Sequence, residues 1–282
     1  LKKKASWIHK HLQEKEWLRE GFFNGYYDND GNRVEGNIKG RMRMTLTGQV
    51  FPIMSGIASP KQISLIFKNS CRYLREKGTG GFRLNTDFKE ECLNLGRAFS
   101  FAYGDKENGA VFNHMAVMFS YALYQRGFAK EAFRVFDSIY RMATDTKRSR
   151  IYPCLPEYFN LEARGLYCYL TGSASWYILT LLTQAFGLRG ECGDLLIEPK
   201  LVAEQFSENN VISIRAVFAK RPIEFRFRNT GGKDYGEYSI SKVTLNGRDL
   251  CHKTKNPRLI IPRKKLLSLT NTKANLCEII LD

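Results

Sequence analysis

The stretch Gly109–Arg126, GAVFNHMAVMFSYALYQR, decides how the first part of this 282-residue chain folds. It is almost continuously apolar and longer than 15 residues, a length that favours a buried helix over a strand. Gly127 interrupts it, and Phe128–Met142 then carries apolar residues at helical spacing. Two helices joined by a short glycine turn are typical of an antiparallel hairpin of packed helices.

Two further segments predict helices on either side of this hairpin. Pro60 begins one of them, apolar residues follow at helical spacing, and Gly78 ends it. Ser173–Phe186 is another long apolar segment, and it predicts a helix for the same reason as Gly109–Arg126. The chain is therefore predicted to be mainly α, with its helices in the first two-thirds.

The sequence pattern changes after Gly187. Short runs, most of them alternating between apolar and polar residues, predict strands at Asp194–Glu198, Val211–Ala219, Ile223–Arg228 and Ser239–Leu245. Asn246-Gly247 follows the last run directly and predicts a hairpin turn. We therefore expect residues 1–192 to form a helical domain and residues 193–282 to form a small antiparallel, β-sandwich-like domain.

Composition and charge limit the classes of function. The 44 Lys and Arg residues against 28 Asp and Glu residues give a net charge of +16, which favours anionic partners. These basic residues are spread along the chain, so a nucleic-acid-binding groove is not expected. No apolar run approaches the roughly 18 residues of a membrane span, and no membrane partner is expected.

The seven cysteines are an odd number and include no Cys-x-x-Cys pair. Several lie among apolar residues, as Cys168 does in LYCYL. This usage predicts buried free thiols in a reducing compartment, and we expect the protein to be cytoplasmic. The chain starts at Leu1, and its helical part is short for a closed ring of helical hairpins, so we expect a piece of a longer protein.

Three motifs are too incomplete to predict a metal or nucleotide site. The two histidines of His9–His11 lack a third ligand. The acidic loop Asp28–Asn32 resembles a calcium loop, but Arg33 stands where such a loop needs glycine. The Gly78–Gly81 stretch lacks the Gly-Lys-Ser/Thr of a phosphate-binding loop. The sequence therefore predicts no metal and no cofactor.

Three polar segments carry residues suited to binding an anion or a sugar. Lys106–Gly109 leads into the predicted helix that holds His114, and Pro156–Tyr158 is the second segment. Thr171–Ser173 opens another predicted helix, where a hydroxyl and backbone N–H groups suit an oxyanion. A satisfied core histidine at His114 and an ordinary helix cap at Thr171–Ser173 remain alternatives.

The order and spacing of these segments resemble the C-terminal part of glycoside hydrolase family 94, the inverting glycoside phosphorylases. The resemblance covers roughly residues 15–205. It rests on Ser55–Ser59, Glu107–His114 and Tyr169–Trp176, and Gly187–Pro199 continues it. It implies the C-terminal part of an (α/α)6 barrel followed by a small β domain. It also implies a homodimer.

The resemblance further implies roles for seven residues of this chain. The phosphate-binding residues would be His114, Thr171 and Gly172. The residues lining the sugar subsites would be Lys106, Glu107, Glu157 and Tyr158. Donors at helix starts suit an oxyanion, and charged hydrogen bonds discriminate between sugar hydroxyls.

In this family, phosphate is a co-substrate rather than a cofactor. It attacks the anomeric carbon of a β-linked gluco-oligosaccharide with inversion, which yields α-glucose 1-phosphate and a shortened glucan. An Asp in an Asp-Trp-Asn-Asp-Gly type motif protonates the leaving oxygen. No tryptophan of this sequence is flanked by Asp. We therefore expect no catalytic residue in this chain, and no activity of the chain alone.

The substrate is less well defined than the family. The amino-acid sequences of Pro156–Phe159 and Tyr169–Ser175 are most similar to those of 1,2-β-oligoglucan phosphorylases. Cellobiose or cellodextrin phosphorylase is the alternative within the family, and the loops around Arg83–Ser100 should decide between them. A protein that binds sugar or phosphate without catalysis is the alternative outside it.

Overall fold

The computed structural model describes residues 1–152, 154–169, 171–252 and 258–282. They form two compact units, Leu1–Ile178 and Leu179–Asp282. The expected domain boundary at 192/193 lies further along the chain. The division into units falls earlier because Leu181 and Phe186 pack into the apolar core of the second unit. The assignment of the two domains stays a prediction.

Helices are concentrated in the first unit. The α-helices of the described residues are α1 (Lys2–His11), α2 (Thr47–Met54), α3 (Pro60–Tyr73), α4 (Asn113–Gln125), α5 (Ala129–Thr144), α6 (Thr146–Ser149), α7 (Gly172–Thr180) and α8 (Arg263–Leu267). A π-helical turn at Leu181–Ala185 continues α7, and another at Leu12–Glu16 continues α1. Among the residues described, no helix is both long enough and apolar enough to cross a membrane.

Strands occur in both units. They are β1 (Gly36–Ile38), β2 (Arg41–Arg43), β3 (Val111–Phe112), β4 (Tyr158–Phe159), β5 (Gly165–Leu166), β6 (Leu188–Glu191), β7 (Asp194–Ile197), β8 (Val211–Phe218), β9 (Arg221–Asn229), β10 (Ile240–Leu245), β11 (Arg248–His252), β12 (Leu259–Ile261) and β13 (Asn275–Leu281). Helices and sheets therefore both contribute to the described part of the chain, and the expectation of a mainly α fold holds only in part.

The helical hairpin predicted around Gly127 is confirmed as α4 and α5. Gly127 has a φ of +81°, a conformation that glycine adopts without strain and that ends α4. The helix begins at Asn113 rather than near Gly109, because Val111 and Phe112 form strand β3 and pair with β4. This pairing places the first turn of α4 beside Tyr158.

The helix predicted from Pro60 is confirmed as α3. Ser59 and Gln62 form a capping box at its start, which satisfies two backbone N–H groups. The helix ends at Tyr73 rather than at Gly78. The carboxylate of Glu76 accepts hydrogen bonds from the backbone of Gly78 and Thr79, and this turn replaces the last helical residues expected from the sequence.

The predicted strands of the second unit are confirmed as β7, β8, β9 and β10, and the Asn246-Gly247 turn joins β10 to β11. The larger sheet has the order β11-β10-β13-β9-β8, and β12-β7-β6 form a second sheet. The expectation of an antiparallel domain holds for every described pair of this unit except one. Strand β13 pairs with β9 in parallel. The connection between them contains β10, β11, β12 and α8, so it is long enough for the crossover that a parallel pair requires.

Both sheets of the second unit contribute to one core. Leu195 and Ile197 of β7 lie in the same buried cluster as Phe225 of β9 and Ile279 of β13. Alternation along β9 and β13 leaves the other face of the larger sheet to charged residues of β9 and to Leu276, Glu278 and Ile280 of β13.

Candidate active site

The first turns of α4 and α7 meet at His114 and Gly172. A β-carbon built on Gly172 would lie 2.5 Å from His114 Cε1 and 2.7 Å from His114 Nδ1. Carbon atoms do not approach this closely, so the imidazole occupies the space that a side chain at position 172 would need. Glycine at this position therefore allows the helix start of α7 to lie directly against the histidine.

His114 is half-buried, and its ring is tilted against Trp176 with a centroid separation of 6.1 Å. Burial lowers the pKa of the imidazole, while the negative charge of Glu157 opposes that shift. The lowered pKa favours the neutral ring near pH 7, in which one nitrogen donates a hydrogen bond and the other accepts one.

Thr171 caps the start of α7. Its Oγ1 accepts a hydrogen bond from the backbone N–H of Ser173 at 3.2 Å, which is typical of a helix N-terminus. Because the oxygen serves as the acceptor, the hydroxyl proton of Thr171 is left to donate to another group. Gly172 follows as the first residue of a nine-residue helix, whose N-terminal end carries partial positive charge.

Asn113 joins the start of α4 to the segment around Glu157. Its backbone N–H donates to Glu157 O at 2.9 Å, and its Nδ2 donates to Pro156 O at 2.8 Å. The Asn113 side chain is buried, and its Oδ1 has no hydrogen-bond partner among the described residues. The sequence alone does not indicate a role for Asn113, because its positioning contacts depend on the distant segment Pro156–Glu157.

Glu157 and Tyr158 lie in the hairpin of β4 and β5. The N–H of Glu157 donates to the carbonyls of Leu166 and Tyr167, both at 3.1 Å, and Tyr169 Oη donates to Glu157 Oε2 at 3.4 Å. Tyr158 is only 4% exposed. Burial, together with the nearby charge of Asp105, raises the pKa of Tyr158 to about 12. In this arrangement Glu157 reaches the surface and Tyr158 lies behind it.

Lys106 lies over an aromatic surface next to this hairpin. Its Nζ is 4.5 Å from the ring centroid of Tyr167 and 5.3 Å from that of Phe101, both within the range of cation–π attraction. A hydrogen bond with Tyr167 raises the pKa of Lys106. Tyr167 and Tyr169 are 42% and 56% exposed, so an open aromatic wall extends from Lys106 toward Glu157.

The loop that carries Lys106 and Glu107 is held by the side chains of Asn85 and Asn108. Asn108 Nδ2 donates to Phe101 O at 2.7 Å, and Asn85 Nδ2 donates to Asn108 Oδ1 at 3.0 Å. Glu107 Oε1 lies 3.3 Å from Arg97 Nη1. Its Oε2 is buried without a hydrogen-bond partner in the described part of the chain. Glu107 is thus held in place through one oxygen only.

A cleft of about 510 Å³ adjoins this loop, with Asn108 in its wall. Four aromatic side chains line it, Phe88, Phe99, Phe101 and Tyr103, together with the carboxylates of Asp87, Glu90 and Glu91. Sequence reasoning did not assign these residues, although it placed substrate specificity in the loops around Arg83–Ser100. Their aromatic content was the available signal.

The incomplete motifs of the sequence have structural roles. Asp28 Oδ1 accepts backbone hydrogen bonds from Asp30 and Asn32, so the acidic loop is a turn closed by its own side chain. The carboxylate of Glu76 accepts hydrogen bonds from the backbone N–H groups of Gly78 and Thr79 in the Gly78–Gly81 stretch. Among the described residues, no group of three or more His, Cys, Asp or Glu side chains could hold a metal ion. The expectation of buried thiols holds for Cys92 and Cys277 but is wrong for Cys168 and Cys192, which are exposed.

The structure therefore brings most of the expected site residues into one neighbourhood. His114, Thr171 and Gly172 lie together where α4 and α7 begin. Glu157 is linked to them through Asn113, and Lys106 joins Glu157 through Tyr167 and Tyr169. The arrangement offers several hydrogen-bond donors at two helix starts beside an open aromatic wall, which suits an oxyanion next to a sugar.

Comparisons with known proteins identify the family of the first unit. Residues 1–187 match the catalytic domain of the glycosyl hydrolase 94 superfamily. The match covers more than half of the chain, and the chain belongs to this family. The resemblance drawn from the sequence motifs is thereby confirmed.

The chain is also similar to a cellobionic acid phosphorylase of Neurospora crassa. The two are 28% identical over 204 residues, which cover 68% of this chain and 25% of the relative. The chain thus spans about a quarter of the length of this curated relative.

Proposed function

We propose that this chain is part of a glycoside phosphorylase that reversibly phosphorolyses β-linked gluco-oligosaccharides to α-glucose 1-phosphate. The observation that carries the proposal is the contact between the His114 ring and Gly172 at the start of α7. It lies within the segment that matches the catalytic domain of the family. Such an enzyme is a hexosyltransferase, and inorganic phosphate is its co-substrate.

The three phosphate-binding residues supply different donors. His114 contributes an imidazole N–H, Thr171 a hydroxyl whose oxygen already caps α7, and Gly172 a backbone N–H at the helix start. Three donors converging at the positive end of a helix stabilise an oxyanion without a metal ion's help in this part of the site. The absence of a side chain at Gly172 lets the His114 ring lie directly beside the start of α7.

Lys106, Glu107, Glu157 and Tyr158 are proposed to form the sugar side of the site. Lys106 and Glu157 flank the exposed rings of Tyr167 and Tyr169, and aromatic faces pack well against the apolar faces of sugar rings. Charged side chains beside such a wall accept or donate hydrogen bonds to hydroxyl groups and so discriminate their positions. Tyr158 supports this wall from behind.

The proposed oligosaccharide is a 1,2-β-oligoglucan, with cellobiose or a cellodextrin as the alternative. The cleft next to Asn108 has room for further sugar units and presents aromatic rings for them. Of its lining carboxylates, Asp87 is paired with Lys89, and Glu90 is paired with Arg43 and Lys39. The aromatic rings, rather than the charge of the cleft, therefore support an oligosaccharide acceptor.

The proposed reaction needs one group that this chain does not supply. Phosphate attacks the anomeric carbon directly, so no protein base is required, and a carboxylic acid protonates the leaving oxygen. We propose that this acid belongs to another part of the protein and that the chain alone is inactive. The first unit would then form the C-terminal part of an (α/α)6 barrel. The whole enzyme is proposed to be cytoplasmic and to assemble as a homodimer.

The test is phosphate release from α-glucose 1-phosphate by the protein that contains this chain, with 1,2-β-glucan oligosaccharides, cellobiose or cellodextrins as acceptors. Activity with the 1,2-linked series alone supports the full proposal, and activity with cellobiose or cellodextrins alone contradicts the linkage. Thr171→Val removes the donor hydroxyl and should lower the rate at least about tenfold. Thr144→Val is the matched control, since Thr144 is exposed and bonds only within α5.

A protein with no phosphate release from any β-glucan acceptor would contradict the phosphorylase proposal. If that protein still bound phosphate or a glucan, the non-catalytic binding alternative would be supported instead. Activity of the chain alone would contradict the proposal that its general acid lies elsewhere.

A further inference from the structure

The larger sheet of the second unit has a charged outer face. Along β9, Phe225 and Phe227 are buried in the core, whereas Arg226 and Arg228 alternate with them on the opposite face. On β13, Ile280 likewise lies on the outer face, between the buried residues Ile279 and Leu281. Alternation thus places cationic and apolar side chains next to each other on one surface.

The register of three strands aligns these side chains into rows. Arg228 is paired with Ile280 of β13, and Ile280 is paired with Lys242 of β10. Adjacent strands are about 4.8 Å apart, so the backbones of Arg228 and Lys242 are about 10 Å apart with Ile280 between them. In the next row, Glu278 lies between Arg226 and Thr244. Arg228 and Lys242 therefore lie on either side of the apolar side chain of Ile280.

A pocket of about 230 Å³ lies over these two rows. Its lining includes Arg226, Arg228, Lys242 and Thr244, and one carboxylate, Glu278. This volume is enough for a phosphate group with a small substituent, and it is too small for an extended chain. The pocket is built entirely from residues of the second unit.

The cations of the pocket are not equally neutralised. Arg226 lies 2.8 Å from Glu224 and 3.6 Å from Glu278, so its charge is largely balanced. Lys242 Nζ lies 3.3 Å from Asp249, but both side chains are more than 40% exposed, and such pairs are weak. Arg228 is exposed and has no ion pair among the described residues.

We propose that this pocket is a binding site for a phosphate group, either inorganic phosphate or a phosphate monoester. The guanidinium of Arg228 binds two phosphate oxygens, Lys242 provides a second positive charge, and Thr244 donates its hydroxyl. Glu224, Glu278 and Asp249 border the site and repel a long polyanion, so a small anion is favoured over a nucleic acid. The site is additional to the one at His114 and Gly172.

The experiment records backbone amide NMR shifts while sodium phosphate is added to the chain, with sodium chloride at equal ionic strength as reference. We expect saturable shifts in β9, β10 and β13. Arg228→Gln and Lys242→Gln should each weaken this binding about tenfold, as expected for a lost charge-assisted contact. Arg215→Gln is the matched control, because Arg215 is exposed, pairs with Glu224 and lies outside the pocket.

Two further arms distinguish the source of the phosphate group. Tighter binding of α-glucose 1-phosphate than of inorganic phosphate supports a monoester site, and equal binding supports inorganic phosphate. Shifts that follow ionic strength alone overturn the proposal, as does an equal effect of the Arg228→Gln and Arg215→Gln variants. Because Thr171→Val leaves the second unit unchanged, the shifts in β9 should persist in that variant even if the proposed function fails.

Discussion

The imidazole of His114 fills the space beside the α-carbon of Gly172, and a β-carbon there would come within 2.5 Å of the ring. This contact fixes the first turn of α4 against the first turn of α7. It also makes two residues that are distant in sequence dependent on each other. A change in either one should move the other, and with it the donors proposed for phosphate.

Replacing Gly172 by alanine should therefore displace the His114 ring. We expect Gly172→Ala to lower phosphate release from α-glucose 1-phosphate by about 100-fold, since misplacing a binding group by an ångström costs about this much. The measurement is the initial rate at saturating acceptor, with KM for phosphate recorded in the reverse reaction. Gly190→Ala is the control, because the nearest side-chain atom to a β-carbon there is 3.5 Å away. Equal rates in both variants would contradict the prediction.

Asn113 should contribute both to stability and to the position of Glu157. Asn113→Ala removes the donor to Pro156 O and leaves that buried carbonyl unsatisfied. We expect the free energy of unfolding to fall by about 2 kcal/mol, measured by urea denaturation. Phosphate affinity should fall as well, because the Glu157 segment loses its side-chain tether to α4. Asn94→Ala, at an exposed residue, should change stability by no more than about 0.5 kcal/mol.

Local sequence patterns predicted the α4–α5 hairpin and strands β7 to β10, because their apolar spacing depends on nearby residues only. They did not predict that Val111 and Phe112 leave the helix, since this depends on pairing with Tyr158 far along the chain. The parallel position of β13 was missed for the same reason. The identities of the site residues came from motif order, whereas the His114–Gly172 contact and the Asn113 tether required the folded structure.

Glu35 should make the stability of the first unit depend on pH. Its side chain is buried and accepts backbone hydrogen bonds from Gly25 and Thr45. Burial raises the pKa of Glu35 from 4.5 to about 7, against the effect of those hydrogen bonds. The folded state therefore holds the proton more tightly than the unfolded state. Protonation of Glu35 therefore stabilises the folded state fully below about pH 4.5, and this stabilisation is lost as the pH rises toward 7.

The loss over this pH range should be on the order of 3 kcal/mol in the free energy of unfolding. Urea unfolding at about pH 5 and about pH 8 measures it. Glu35→Gln cannot titrate, so the difference between the two pH values should shrink by that amount. Glu162→Gln, at an exposed residue, should keep the wild-type difference. The prediction fails if Glu35→Gln retains the same pH dependence as the wild type.

Lys106 should act on sugar binding more than on folding. Its side chain is half-buried, Nζ lies over the rings of Tyr167 and Phe101, and its backbone has a φ of +46°. Lys106→Met keeps the length and the apolar stem but removes the charge, so the loop should stay folded. We expect KM for the glucan to rise about tenfold with a smaller change in kcat, as a lost charged hydrogen bond would produce.

Lys106→Arg should restore most of the affinity, and Lys147→Met, at an exposed residue of α6, serves as the control. A fall in kcat at unchanged KM would instead place Lys106 among the groups that act only in the transition state.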